Sequence, residues 1–242
     1  MKTNNEILSV KEVFAGYDKA DILNGINIHV NSGEIVCVIG PNGAGKSTVF
    51  KAIYGFIQIR KGHVYFENID VTDYSPQNML REGISIVPQL RSVFPQMSVE
   101  ENLEMGMYLE KDKARIKRRI IEIFELFPRL EERKQQIAGT MSGGEQRMLE
   151  IGRSLMYNPK LLLMDEPSAG LAPAITKLIF EKIQNLNDEL GLTVLMIEQN
   201  ARRGLEISDR GYVLQLGENT YEGTSQALLD DPEVRRSFLG GH

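Results

Sequence analysis

Three short apolar runs punctuate the chain: "IVCVI" at 35–39, "LLLM" at 161–164 and "TVLMI" at 193–197. Continuous apolar segments of this kind mark strands buried on both faces, as in parallel sheets. Each is followed by a turn and then a helical pattern. "GKSTVFKAIYG" follows the first, and "ARRGLEIS" follows the third. After the second, "APAITKLIFEKIQNLNDEL" puts Ile175, Leu178, Ile179, Ile183, Leu186 and Leu190 on one helical stripe. This βα alternation predicts an α/β core. "ILNGINIHV" alternates instead, with Ile26, Ile28 and Val30 between polar residues, and "GHVYFENI" continues the pattern. A smaller antiparallel sheet flanking the parallel one is expected. Residues 92–157 read as mainly helical. "SVEENLEMGMYL" opens with a capping box, Ser98 and Glu101, and "KDKARIKRRIIEIFELF" is a long amphipathic helix. The expected organisation is one domain, with residues 1–91 and 158–242 as the α/β core and 92–157 as an inserted helical subdomain.

Composition narrows the class. Hydrophobic content of 42% and charged content of 25% are ordinary for a soluble globular protein. No stretch approaches the ~18 apolar residues of a membrane span. "MKTNNEILSV" lacks a signal-peptide apolar region, so a cytosolic, unprocessed chain is expected. The net charge of −5 argues against a broad nucleic-acid face. The basic run Lys111–Arg119 offers a local anionic contact, but a solvated helix face explains it more simply. Cys37, the single cysteine, sits inside an apolar strand and reads as core. His29, His63 and His242 are far apart, and nothing has the spacing of a His/Cys metal site.

"GPNGAGKST", comprising Gly40, Pro41, Asn42, Gly43, Ala44, Gly45, Lys46, Ser47 and Thr48, fits G-x-x-x-x-G-K-[ST]. It follows an apolar strand and opens a helical pattern, which is the context a phosphate loop requires. Glycines let backbone N–H groups converge on phosphate oxygens, and the helix N-terminus adds a favourable dipole. Lys46 is expected to reach the β- and γ-phosphates of ATP, and the Ser47 hydroxyl to ligate Mg²⁺. "LLLMDEP" carries Asp165 and Glu166 to a strand's carboxyl end. Asp165 suits a Mg²⁺ site, and Glu166 suits orienting or deprotonating an attacking water. In "MSGGEQ", Ser142 and Glu145 form a second capping box, and Gly143 and Gly144 leave the first helical amides open to an anion.

The order of phosphate loop, Gln89, Ser142-Gly143-Gly144-Glu145-Gln146 and Asp165-Glu166 resembles the ABC ATPase family over nearly the whole chain. That resemblance implies a head-to-tail dimer, with the phosphate loop of one subunit facing Ser142–Gln146 of a second ABC ATPase. It implies that Tyr17 stacks on adenine, with Phe14 the nearby competitor. It also implies that Gln89 senses Mg²⁺ and γ-phosphate and couples the core to the helical subdomain. Two positions depart from the family pattern: Ala172 stands where Asp is usual, and Gln199 where the switch histidine is usual. A glutamine can donate a hydrogen bond to the γ-phosphate but cannot carry an imidazolium's charge.

"EQN", "PSAGLAP", "LFPRLEER", "AGTMSGGEQ" and "SFLGGH" resemble the ATPase subunits of branched-chain amino acid importers, although Glu is typical where Gln89 stands. The resemblance implies a peripheral protein at the cytoplasmic face of the cell membrane. Its partners would be membrane permease subunits and, indirectly, a solute-binding protein, with no nucleic acid. The alternatives are an ATPase for urea or amide import, one for lipid export, and a non-transport regulatory module. The lipid-export group keeps the histidine that Gln199 replaces, and the intact Glu166 argues against a non-hydrolysing module. Soluble relatives acting on DNA or ribosomes usually carry long insertions or two fused cassettes, and this chain has neither.

Overall fold

A computed structural model describes residues 5–18 and 20–239. The first residues of the N-terminal segment and the end of "SFLGGH", His242 included, lie outside the described residues. The strands are β1 (Glu6–Tyr17), β2 (Ala20–Asn31), β3 (Ile35–Ile39), β4 (Ile59–Phe66), β5 (Ile69–Asp70), β6 (Ile84–Val87), β7 (Leu161–Asp165), β8 (Thr193–Ile197), β9 (Arg210–Gln215) and β10 (Glu218–Thr224). The α-helices are α1 (Lys46–Ile53), α2 (Pro76–Glu82), α3 (Val99–Met105), α4 (Lys113–Leu126), α5 (Pro128–Glu132), α6 (Gly143–Ser154), α7 (Pro173–Leu190), α8 (Ala201–Glu206), α9 (Ser225–Asp230) and α10 (Pro232–Phe238).

The strands form two sheets. One has four strands in the order β2-β1-β4-β5, all paired antiparallel. The other has six in the order β10-β9-β3-β8-β7-β6, parallel except for the β10 edge. The three apolar runs are β3, β7 and β8, and every residue in them is buried. Their side chains alternate between two cores, as the period of two requires. Cys37, Leu162, Met164, Val194 and Met196 face one cluster with α3–α10. Val36, Val38, Leu161, Leu163, Leu195 and Ile197 face the other, with the antiparallel sheet, α1 and α2. Burying one such aliphatic side chain is worth roughly 1.5–3 kcal/mol. Cys37 is fully buried, and burial pushes its thiol pKa well above the ordinary value.

Helix ends follow the local sequence. Ser98 and Ser142 each accept from the N–H of the Glu three residues on, and that Glu reaches back to the cap N–H. Pro173 opens α7, and Gly191 closes it at φ +65°, a left-handed conformation natural to glycine. The stripe predicted on α7 is narrower than expected. Ile179, Ile183 and Leu186 are buried and Ile175 partly so, but Leu178 and Leu190 are 52% and 53% exposed. The basic run on α4 is largely solvated: Lys113, Arg115, Lys117 and Arg118 are exposed. Arg119 differs, donating to the carbonyls of Leu155 (2.7 Å) and Met156 (3.0 Å).

Candidate nucleotide site

Because β3, β6, β7 and β8 are parallel neighbours, their carboxyl ends share one edge of the sheet. Ligands of open α/β sheets bind outside that edge. There β3 leads into the Gly40–Thr48 loop, β6 into Pro88 and Gln89, β7 into Glu166, and β8 into Glu198 and Gln199. Ile22, Asn42, Gly43, Gly45, Lys46, Ser47, Thr48 and Glu166 line a cavity of about 330 Å³.

The loop's backbone demands glycine at two places. A Cβ on Gly40 would meet the Leu214 carbonyl oxygen at 2.2 Å, and Gly45 has φ +97° at the N-cap of α1. No side chain caps α1, so its N-terminus can serve an anion. Pro41 and Asn42 are exposed, while Ala44 and Thr48 are buried. Lys46 folds back over the loop, donating to the carbonyls of Gly40 (2.8 Å) and Pro41 (3.0 Å). Burial lowers its pKa, opposed by Glu166 and Asp165. An ammonium held by two carbonyl dipoles, with the Glu166 and Asp165 charges near it, in a partly desolvated place is suited to engaging phosphate charge.

Ser47 Oγ donates to Asp165 Oδ1 at 3.1 Å. Burial raises the Asp165 pKa, opposed by that hydrogen bond. A hydroxyl and a desolvated carboxylate form a hard-oxygen pair, the donor set Mg²⁺ takes alongside phosphate and water. A cation there would also offset the desolvation of Asp165. These residues therefore fit the metal.

Glu166 is buried and sits at φ +48°, the left-handed region that a non-glycine residue occupies at a cost. Its N–H donates to the Ile197 carbonyl at 2.9 Å, and its Oε2 accepts from Gln89 Nε2 at 2.7 Å. Gln89 thus meets Glu166 directly, a contact the sequence did not disclose. Gln199 is exposed at the tip of β8. Its neighbour Glu198 is the residue that sequence reasoning passed over. Glu198 is 1% exposed and accepts from Ser168 N–H (3.0 Å) and Oγ (2.9 Å). It ties the turn after Glu166 to the β8 tip, and burial raises its pKa against those hydrogen bonds.

The other predicted residues are placed less directly. Tyr17 is 41% exposed at the end of β1, its hydroxyl accepting from Lys51 Nζ at 3.0 Å. None of Ser142, Gly143, Gly144, Glu145 and Gln146 lines the phosphate-loop cavity of the same chain. Ser142, Gly144 and Glu145 border a groove against α7, and Glu145 pairs with Arg133 at 3.1 Å. The Arg91 guanidinium lies against Gly143. Gln146 departs most from expectation as a nucleotide contact. It is buried, with Nε2 donating to the Ala138 carbonyl (2.9 Å) and Oε1 accepting from Arg91 (3.0 Å), so its amide is engaged inside its own chain.

The family model described as "ABC transporter" matches residues 23–169. The chain is 46% identical over 236 residues to the high-affinity branched-chain amino acid transport ATP-binding protein BraG of Pseudomonas aeruginosa, covering 97% of this chain and all of that one. It is 37% identical to the probable branched-chain amino acid transport ATP-binding protein LivF of Archaeoglobus fulgidus, covering 97% and 99%. The crystal structure of the ADP conformation of MJ1267, an ATP-binding cassette of an ABC transporter, superposes with a TM-score of 0.87 at 33% identity, covering 97% and 99%.

Proposed function

The chain belongs to the ABC transporter family, and from that premise we propose that it is the ATP-hydrolysing subunit of an importer of branched-chain or other hydrophobic amino acids. The observation that carries the catalytic part is one shared cavity: Glu166 lines the same space as Gly43, Gly45, Lys46 and Ser47. In this reading the loop amides and Lys46 bind the ATP phosphates, with Lys46 exchanging its two loop carbonyls for phosphate oxygens. Ser47, Asp165 and Gln89 would hold Mg²⁺, which neutralises phosphate charge when bound. Glu166 takes a proton from a water whose oxygen attacks the γ-phosphorus, the bond to the bridging oxygen breaks, and ADP leaves. Gln89 orients the Glu166 carboxylate from Oε2, leaving the other oxygen for that water. Gln199 donates to the γ-phosphate as a neutral amide, and Tyr17 stacks on adenine.

The same reading assigns residues 92–157 to a helical subdomain that presents Ser142, Gly143 and Gly144 to the nucleotide of a partner cassette. Among the described residues no helix is long and apolar enough to cross a membrane. The likeness to importer ATP-binding subunits supports docking at the cytoplasmic face, on permease subunits served by a solute-binding protein.

Lys46→Ala tests the site. Loss of one charged contact to phosphate is expected to lower Mg-ATP affinity or turnover about tenfold or more, an effect of 1.4 kcal/mol or above. Nucleotide titration and phosphate release measure it, and parent-like values would remove the phosphate loop from the mechanism. Purification of the native complex, with identification of the partner chains, tests the importer assignment.

A further inference from the structure

Helix α6 holds the segment 88–92 from one face. Gln146, Arg147, Glu150 and Arg153 recur at helical spacing, and each engages that segment. Arg91 donates to Gln146 Oε1, and Arg153 donates to Ser92 O (2.7 Å) and Oγ (2.6 Å). The Ser92 N–H donates to Glu150 Oε1. Arg147 does most: Nη1 donates to the Pro88 carbonyl (2.9 Å) and Nη2 to the Gln89 carbonyl (3.0 Å). Its charge is met by Glu150 at 3.0 Å, with the two side chains 4% and 1% exposed.

A buried ion pair is weak evidence for stability, because desolvation consumes much of the attraction. What this pair supplies is geometry. The guanidinium's planar fork spans two successive carbonyls, which an ammonium cannot reproduce. The backbone of Gln89 is thus fixed from α6 while its side chain donates to Glu166. α6 is also the helix whose N-terminus carries Ser142 and Gly143.

We propose that Arg147, its charge paired with Glu150, is a positioning residue that sets Gln89 against Glu166, so that the seat of α6 governs hydrolysis. This rests on the ATPase reading above. The role is transmitted through Gln89, so it predicts a particular coupling. In the double variant Arg147→Gln/Glu150→Gln, kcat for ATP falls about 10- to 100-fold, the scale of a misplaced catalytic group, with KM little changed. Adding Gln89→Ala to that variant lowers kcat by less than it lowers that of the parent, because the contact to Glu166 is already lost and only the share Gln89 has in holding Mg²⁺ remains to be removed.

The experiment is steady-state and single-turnover hydrolysis by the parent, the double variant, Gln89→Ala and their combination. Arg147→Lys is a further variant, one that keeps the charge beside Glu150 but loses the fork. A parent-like kcat in the double variant, or an additive further loss on introducing Gln89→Ala, overturns the proposal. If the double variant does not fold, Arg147→Lys carries the test. Reduced kcat at an unchanged unfolding midpoint supports the positioning role, and parent-like kcat overturns it. A parent without ATPase activity both alone and with its partner cassette overturns the ATPase reading itself, whereas an active parent with parent-like variants overturns this inference alone.

Discussion

Ala172 stands at the N-cap of α7 with extended backbone and no side chain to offer the first-turn amides. Aspartate, the residue the resemblance leads one to expect there, caps well. Ala172→Asp is expected to stabilise the nucleotide-free protein by about 1 kcal/mol, read from denaturant unfolding. The opposite electrostatic case is Glu198, whose folded pKa is raised by burial above its ordinary value of 4.5. Between those two values the folded chain binds more protons than the unfolded one, so stability falls as pH rises through the window. Glu198→Gln keeps an acceptor and a donor for Ser168 without the charge. Its unfolding midpoint at pH 8 is expected to equal or exceed the parent's, and any advantage shrinks as pH falls toward the ordinary carboxylate range. Thermal unfolding across that range checks it, and a gap that widens toward acid would mean that the carboxylate stabilises the fold. Glu198 was not legible as an anchor, because its partner Ser168 is 30 residues away and the apolar strand before it shows only where the burial begins. Lys46, Ser47 and Asp165 were legible, because loop, strand and helix sit in one order along the chain.

At the scale of elements, α7 separates what periodicity can resolve from what packing decides. Ile183→Ala is expected to cost about 2–5 kcal/mol, since it empties a fully packed position. Leu178→Ala, on the same predicted stripe but half exposed, should stay within about 0.5 kcal/mol. Parallel denaturation curves of the two variants measure the contrast. β3, β7 and β8 were readable because burial on both faces leaves an unbroken apolar run. β1 was not, because register shifts between Val10 and Val13 and a left-handed Glu12 break its alternation. β6 is four residues long, too short for a period to declare itself. β10 alternates only between exposed and half-buried positions, so it carries little apolar signal.

For the whole molecule, the phosphate-loop cavity and the Ser142 segment do not meet within one chain. A complete site of the proposed kind needs two cassettes. Glu166→Gln is expected to halt hydrolysis, leave Ser47 and Asp165 in place and drive association in Mg-ATP, doubling the mass seen by light scattering. A partner cassette is added if the variant alone stays monomeric, and monomers under both conditions would sink the sandwich. The same architecture has a practical side. The single thiol of the protein is sealed between its main sheet and helices, with its ionisation suppressed. Sulfhydryl dyes should find nothing to attack on the native surface. One cysteine introduced at a solvent-facing position such as Leu216 (80% exposed) would then be the sole handle for a fluorophore or spin probe. Opening and closing of paired cassettes could be followed as a distance, with no background label to subtract.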